Sequence, residues 1–121
     1  MESYMNRISN TGIVPVVKIL EKEDAYPLAK ALLNGGIDVI EVTYRSEHAT
    51  SAIQTISEQL PDMLVGAGTV LSVEQAKEAV EAGAKFIITP GFNTKVVQWC
   101  LDHDVEVYPG VSTASEVEMA L

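Results

Sequence analysis

Five short β-branched runs, each followed by a segment with helical spacing, constrain this chain more than any other feature. The runs are IVPVVK (13–18), IDVIEVT (37–43), MLVGAGT (63–69), KFIITP (85–90) and VEVYP (105–109). Their starts lie 20 to 26 residues apart. They are apolar throughout rather than alternating, which is the pattern of strands covered on both faces. Ala25, Leu28, Ala29, Leu32 and Leu33 form the first helical stripe between them. Ala49, Ala52, Ile53, Ile56 and Leu60 form a second, Val73, Ala76 and Val80 a third, and Val96, Val97, Cys100 and Leu101 a fourth. Each stripe is suited to cover a sheet face.

The punctuation agrees. Ser72 with Gln75 and Thr113 with Glu116 read as capping boxes, and Asn93 as an N-cap. Gly35-Gly36 and Gly83 stand where helices end. The chain is therefore a βα repeat of five strands with a further helix beginning at the C-terminus. Right-handed crossovers between such units give a parallel sheet. Two α/β architectures satisfy this: about half of a TIM (β/α)8 barrel, or an open flavodoxin-like sheet. A full barrel takes roughly 200 residues or more, and this sequence has 121. It stops within the helical pattern EVEMAL (116–121). The expectation is one domain over 1–121, the N-terminal portion of a barrel truncated in its fifth crossover helix.

Charge narrows the partners. Seventeen acidic residues against 8 basic ones give a formal charge of −9, a field that repels a nucleic-acid backbone. No nucleic-acid partner is expected. Cys100 is the only cysteine and sits in an apolar helical stripe, which reads as a small buried hydrophobe rather than a reactive thiol. With two histidines and no paired-ligand spacing, no metal site is expected. MESYMNRISNTG is too polar for a signal peptide, and no run approaches the length of a membrane span. A cytoplasmic protein with no membrane partner is expected.

Ligands of parallel α/β folds sit at the carboxyl ends of the strands. The second strand ends Glu41-Val42-Thr43-Tyr44-Arg45, and alternation puts Val39, Glu41 and Thr43 on one face. A carboxyl on a barrel interior is partly desolvated, which suits it to proton transfer. Arg45 at the rim can hold a carboxylate bidentately. The competing reading is a structural Glu41–Arg45 ion pair. The third strand ends Gly66-Ala67-Gly68-Thr69. Glycines there admit a ligand close to the backbone, and the Thr69 hydroxyl and the helix beginning at Ser72 can serve an anion. It is a poor dinucleotide fingerprint, because Leu71 occupies the sixth position. Pro90-Gly91 and Pro109-Gly110 are matching turns that can shape a pocket floor, or simply turn the chain. Lys18 leaves the first strand and reads as a solvated loop lysine, with a pocket-facing amine as the alternative. Lys85 begins the fourth strand, at the wrong end for a site.

IVPVVK, GGIDVIEVTYR, LVGAGTVL, AGAKFIITPG and VYPGVSTASE together resemble the 2-keto-3-deoxy-6-phosphogluconate / 4-hydroxy-2-oxoglutarate aldolase family, over nearly the whole chain. EVTYR with VGAGTVL carries most of the specificity. The resemblance implies a class I lyase that cleaves a 2-keto-3-deoxy acid phosphate to pyruvate and glyceraldehyde 3-phosphate through a lysine imine, with no cofactor. It implies that Glu41 is the general acid/base, that Arg45 and Thr69 bind the pyruvate carboxylate, and that Pro90 lines the pocket. It also places the imine lysine on a sixth strand and the phosphate site on strands seven and eight, beyond this sequence. The 121 residues alone should therefore be inactive in imine chemistry. Half a barrel exposes sheet edges, so a homo-oligomer is expected, and a non-catalytic, self-assembling scaffold is the alternative. A phosphate-binding module of flavodoxin type is a weaker third reading, since no glycine loop follows the first strand.

Overall fold

A computed structural model describes residues 3–121. The helix α1 (Met5–Thr11) precedes the strand β1 (Val16–Val17). Four βα units follow: α2 (Ala25–Asn34) and β2 (Val39–Thr43), α3 (Ala49–Gln59) and β3 (Leu64–Gly68), α4 (Val73–Ala82) and β4 (Phe86–Thr89), α5 (Thr94–Asp102) and β5 (Glu106–Pro109). Helix α6 (Ala114–Ala120) closes the chain. Every strand falls within one of the five β-branched runs.

The strands form one parallel sheet in the order β1-β2-β3-β4-β5. That order decides between the two architectures. A flavodoxin-like sheet reverses its winding and places β1 inside the sheet. Here each strand pairs with its sequence neighbour, so the winding never reverses and the crossover helices collect on one face, as in a (β/α)8 barrel.

Two apolar clusters mark the two faces. Ile40, Val42, Val65, Ala67 and Ile87 pack with the buried alanines and isoleucines of α2 to α4 and with Val96 and Cys100 of α5. Small residues at Ala25, Ala29, Ala52, Ala76 and Ala79 let those helices sit close to the sheet. On the opposite face Val39, Leu64 and Phe86 form a second cluster with Tyr4, Ile8, Val14, Ile88 and Tyr108. The expected caps are present. Ser72 Oγ accepts from Gln75 N at 3.2 Å while Gln75 Oε1 accepts from Leu71 N at 2.8 Å. Thr113 Oγ1 accepts from Glu116 N and Asn93 Oδ1 from Val96 N. Gly83 ends α4 at φ +115°.

Helix α1 is the element that periodicity did not reveal. Its sequence, MNRISNT, is polar, and it buries no residue fully. Polar ties hold it at the amino end of the sheet. Arg7 Nε meets Asp38 Oδ2 at 3.3 Å, and Arg7 Nη2 donates to the Asp62 carbonyl. Thr11 Oγ1 donates to Asp38 Oδ1 at 2.6 Å, and Tyr4 N donates to Glu106 Oε2 at 2.7 Å.

Candidate active site

The pleat of β2 places Val39 and Glu41 on the face turned away from α2 to α5. Glu41 keeps only 8% of its surface exposed. It borders a cavity of about 210 Å³ lined with Met5, Ile8, Val14, Phe86, Ile88 and Tyr108. Among the described residues no side chain or backbone N–H donates a hydrogen bond to its carboxylate. Burial pushes its proton affinity above the ordinary carboxylate range, and the charge of Arg45 pulls weakly the other way. A carboxyl in that condition can hold and release a proton nearer neutrality.

The Glu41–Arg45 ion pair is not formed: the two described salt bridges lie elsewhere. Arg45 is exposed, and its Nε donates to Thr69 Oγ1 at 3.4 Å. Two residues from neighbouring strand ends, the ones expected to hold a carboxylate, thus meet at the rim. Thr43 shares the Glu41 face but gives its hydroxyl to the Val17 carbonyl at 2.9 Å, fastening β1 to β2.

Thr69 has φ +55°, a left-handed conformation that a β-branched residue rarely takes. Glycine would be the undemanding choice here, and strain held at a site of this kind is commonly functional. The turn aims the Thr69 hydroxyl at Arg45. Nothing in the sequence signals it, because the usual marker of positive φ is glycine or asparagine.

The two glycines of β3 do something other than expected. Neither leaves its backbone open to a ligand. A Cβ on Gly66 would run into the Phe86 ring, and a Cβ on Gly68 into the Glu41 carboxyl group. The space they free is filled from the adjoining strands.

Pro90 stands exposed at the carboxyl end of β4 and does not border the Glu41 cavity. Gly110 packs against the Pro90 carbonyl and donates its N–H to Thr89 O at 2.9 Å. The two Pro-Gly turns therefore brace each other. Lys18 is exposed in a surface depression with Ile19, Leu20 and Asp24, separate from the Glu41 cavity. Cys100 is fully buried, and burial pushes its thiol up to about 11, so it is not a nucleophile at neutral pH. Among the described residues no helix is long and apolar enough to cross a membrane.

A parallel βα sheet in barrel order, with a desolvated carboxyl and a hydrogen-bonded Arg–Thr pair near its strand ends, defines the candidate site, and comparison with known proteins gives the family. The family model described as KDPG and KHG aldolase matches residues 4–121. The chain is 47% identical over 121 residues to the 2-dehydro-3-deoxy-phosphogluconate aldolase of Treponema pallidum, covering all of this chain and 58% of that one. It is 43% identical over 115 residues to the KHG/KDPG aldolase of Escherichia coli, covering 94% and 54%. The crystal structure of the KDPG aldolase of Legionella pneumophila, with pyruvate captured as a covalent carbinolamine, superposes with a TM-score of 0.84 at 42% identity, over 88% of this chain and 52% of that one. The chain belongs to the KDPG/KHG aldolase family. It spans about half the length of the curated relatives it matches.

Proposed function

We propose that this chain carries the proton-transfer and carboxylate-binding part of a class I aldolase site. The whole protein's reaction would be cleavage of 2-keto-3-deoxy-6-phosphogluconate to pyruvate and glyceraldehyde 3-phosphate. The observation that carries the reading is Glu41: buried, without a hydrogen-bond donor, and flanked at the strand ends by the Arg45–Thr69 pair. Glu41 would take and return the proton, Arg45 and Thr69 would hold the keto-acid carboxylate, and Pro90, outside the Glu41 cavity, would border the site only from the rim at the end of β4. Such pairing of a desolvated carboxyl with a fixed anion site is what proton transfer next to a carbonyl requires.

The 121 residues alone would not form the imine. An amine nucleophile is needed to turn the keto group into an electron sink, and no lysine borders the Glu41 cavity. The carbinolamine of the Legionella relative shows the covalent chemistry there. Incubation with pyruvate and borohydride, followed by intact mass, tests this. We expect no adduct on this chain; an adduct of one pyruvate would overturn the assignment and direct attention first to Lys18. Amide shifts at Arg45 and Thr69 on adding pyruvate, lost in Arg45→Ala, would support the anion site, and unmoved amides would count against it.

A self-associating scaffold is the second reading. It is favoured by the two unpaired sheet edges, β1 and β5, with Val16 on β1 54% exposed. Sedimentation at several concentrations separates the states: a monomer throughout would dismiss it.

A further inference from the structure

Strand β3 presents Leu64, Gly66 and Gly68 to the inner face, opposite Val39, Glu41 and Thr43 of β2 in register. The last two of these three positions thus carry no side chain. From the β4 side the Phe86 ring lies where a Cβ of Gly66 would be. From the β2 side the Glu41 carboxyl lies where a Cβ of Gly68 would be. The two side chains border one cavity, closed further by Tyr108, whose ring meets Phe86 edge-on at 6.0 Å. Both glycines are in strand β3 and neither is among the positive-φ residues, so neither is there for its backbone conformation.

We propose that Gly66 and Gly68 form a side-chain-free trench in β3 that seats Glu41 and Phe86 against each other, making Gly68 the positioning residue for the Glu41 carboxyl. The trench draws the carboxyl sideways over the end of β3, where Gly68 leads into Thr69. Gly66 lets the Phe86 ring lean in and supply the apolar wall. A methyl group at position 68 would push the carboxyl off β3 and into solvent. The functional meaning of this placement rests on the reading of Glu41 as a proton-transfer group. The placement itself does not, and it is measured without turnover.

The test is a double-mutant cycle with a titration. Carbon-13 observation of the glutamate carboxyls in the 121-residue chain follows Glu41 directly. Tyr108, the other titratable side chain bordering the cavity, is driven further above its usual range by burial and by Glu106, so it stays silent over the pH range followed. Arg45 is the charged neighbour that must be held constant. In the parent chain Glu41 should titrate above the exposed glutamates. In Gly68→Ala it should fall back among them while the amide spectrum of α2 to α5 is kept. Gly68→Ala should also lower Tm by about 5–10 °C, as overpacking does. In the Glu41→Ala background the same substitution should cost less than half as much, because the overlapping group is gone. Should Gly68→Ala fail to fold, the Glu41→Ala/Gly68→Ala chain must fold. An unmoved Glu41 titration in a folded Gly68→Ala chain, or equal costs in both backgrounds, would overturn the proposal. No pyruvate binding by the parent chain, with the titration moving as expected in Gly68→Ala, would instead count against the aldolase reading and leave the placement standing.

Discussion

The two ends of this sheet treat their carboxylates in opposite ways. At the amino end Glu106 accepts from Ser3 Oγ, Tyr4 N and the Tyr108 hydroxyl. Asp38 accepts from Arg7 and Thr11 and is held below the ordinary carboxylate range, chiefly by the Thr11 hydrogen bond. Toward the carboxyl end Glu41 is more deeply buried than either and has no donor. There Thr69 takes a left-handed conformation, and Arg45 is tied by one long hydrogen bond. Polar groups paired within the protein close the end that keeps the fold together, and the carboxyl without a protein donor faces the cavity, where a ligand could pair with it. Barrel enzymes divide stability and function between their two ends in this way. A carboxylate desolvated in this way, with no donor from the protein, costs stability when ionised.

The comparison breaks if carboxylate removal has the same sign at both ends. Glu106→Ala should have the largest effect, a loss of about 2 kcal/mol in urea denaturation, because the half-buried Tyr108 hydroxyl loses its acceptor and α1 one of its anchors. Asp38→Ala should cost about 1 kcal/mol, discounted because Asp38 and Arg7 are each about 40% exposed. Its contribution carries a definite pH sign. A carboxyl whose folded-state value is lowered stabilises above the unfolded value of 3.8 and loses that stabilisation as the pH falls through the lower folded value. Release of α1 on acidification, read by exchange of its amides, should therefore vanish in Asp38→Ala. Glu41→Gln should move the other way and stabilise by about 1 kcal/mol at pH 7. Thr69→Gly sharpens the contrast with the smallest effect. Relief of the left-handed strain and the added freedom of glycine nearly cancel, leaving a gain of about 0.5 kcal/mol or less, while pyruvate binding should weaken with loss of the hydroxyl.

Strand positions, helix caps and the location of Glu41 could be read from the sequence because each depends on a local signal. β-branched runs mark the strands, Ser72, Asn93 and Thr113 mark helix starts, and period-two alternation puts Glu41 with Val39. The choice of barrel over open sheet needed strand order, which is a long-range property. Helix α1 escaped because Met5 and Ile8, its apolar contacts, are too few to make a stripe, and the rest of its anchorage is polar, at Arg7, Thr11 and the Tyr4 N–H. The glycines of β3 were legible as special, but their purpose was not. A ligand and a neighbouring side chain both require a missing Cβ, and only the register of β2 and β4 against β3 shows which one occupies the space. Thr69 gave no sign of its strain, since its conformation is imposed by the turn it ends rather than chosen by its own preference.

The most direct test of the division between the two ends is the unfolding free energy of the parent chain and of Glu41→Gln from pH 4 to 8. A carboxyl whose folded-state value is raised lowers stability when ionised, so the parent should gain stability as the pH falls through that value toward 4.5. The advantage of Glu41→Gln should thus be greatest at pH 7–8 and shrink toward zero near pH 4. A Gln variant less stable than the parent at pH 7, or a difference that does not change with pH, would contradict the account and make Glu41 one more satisfied structural carboxylate.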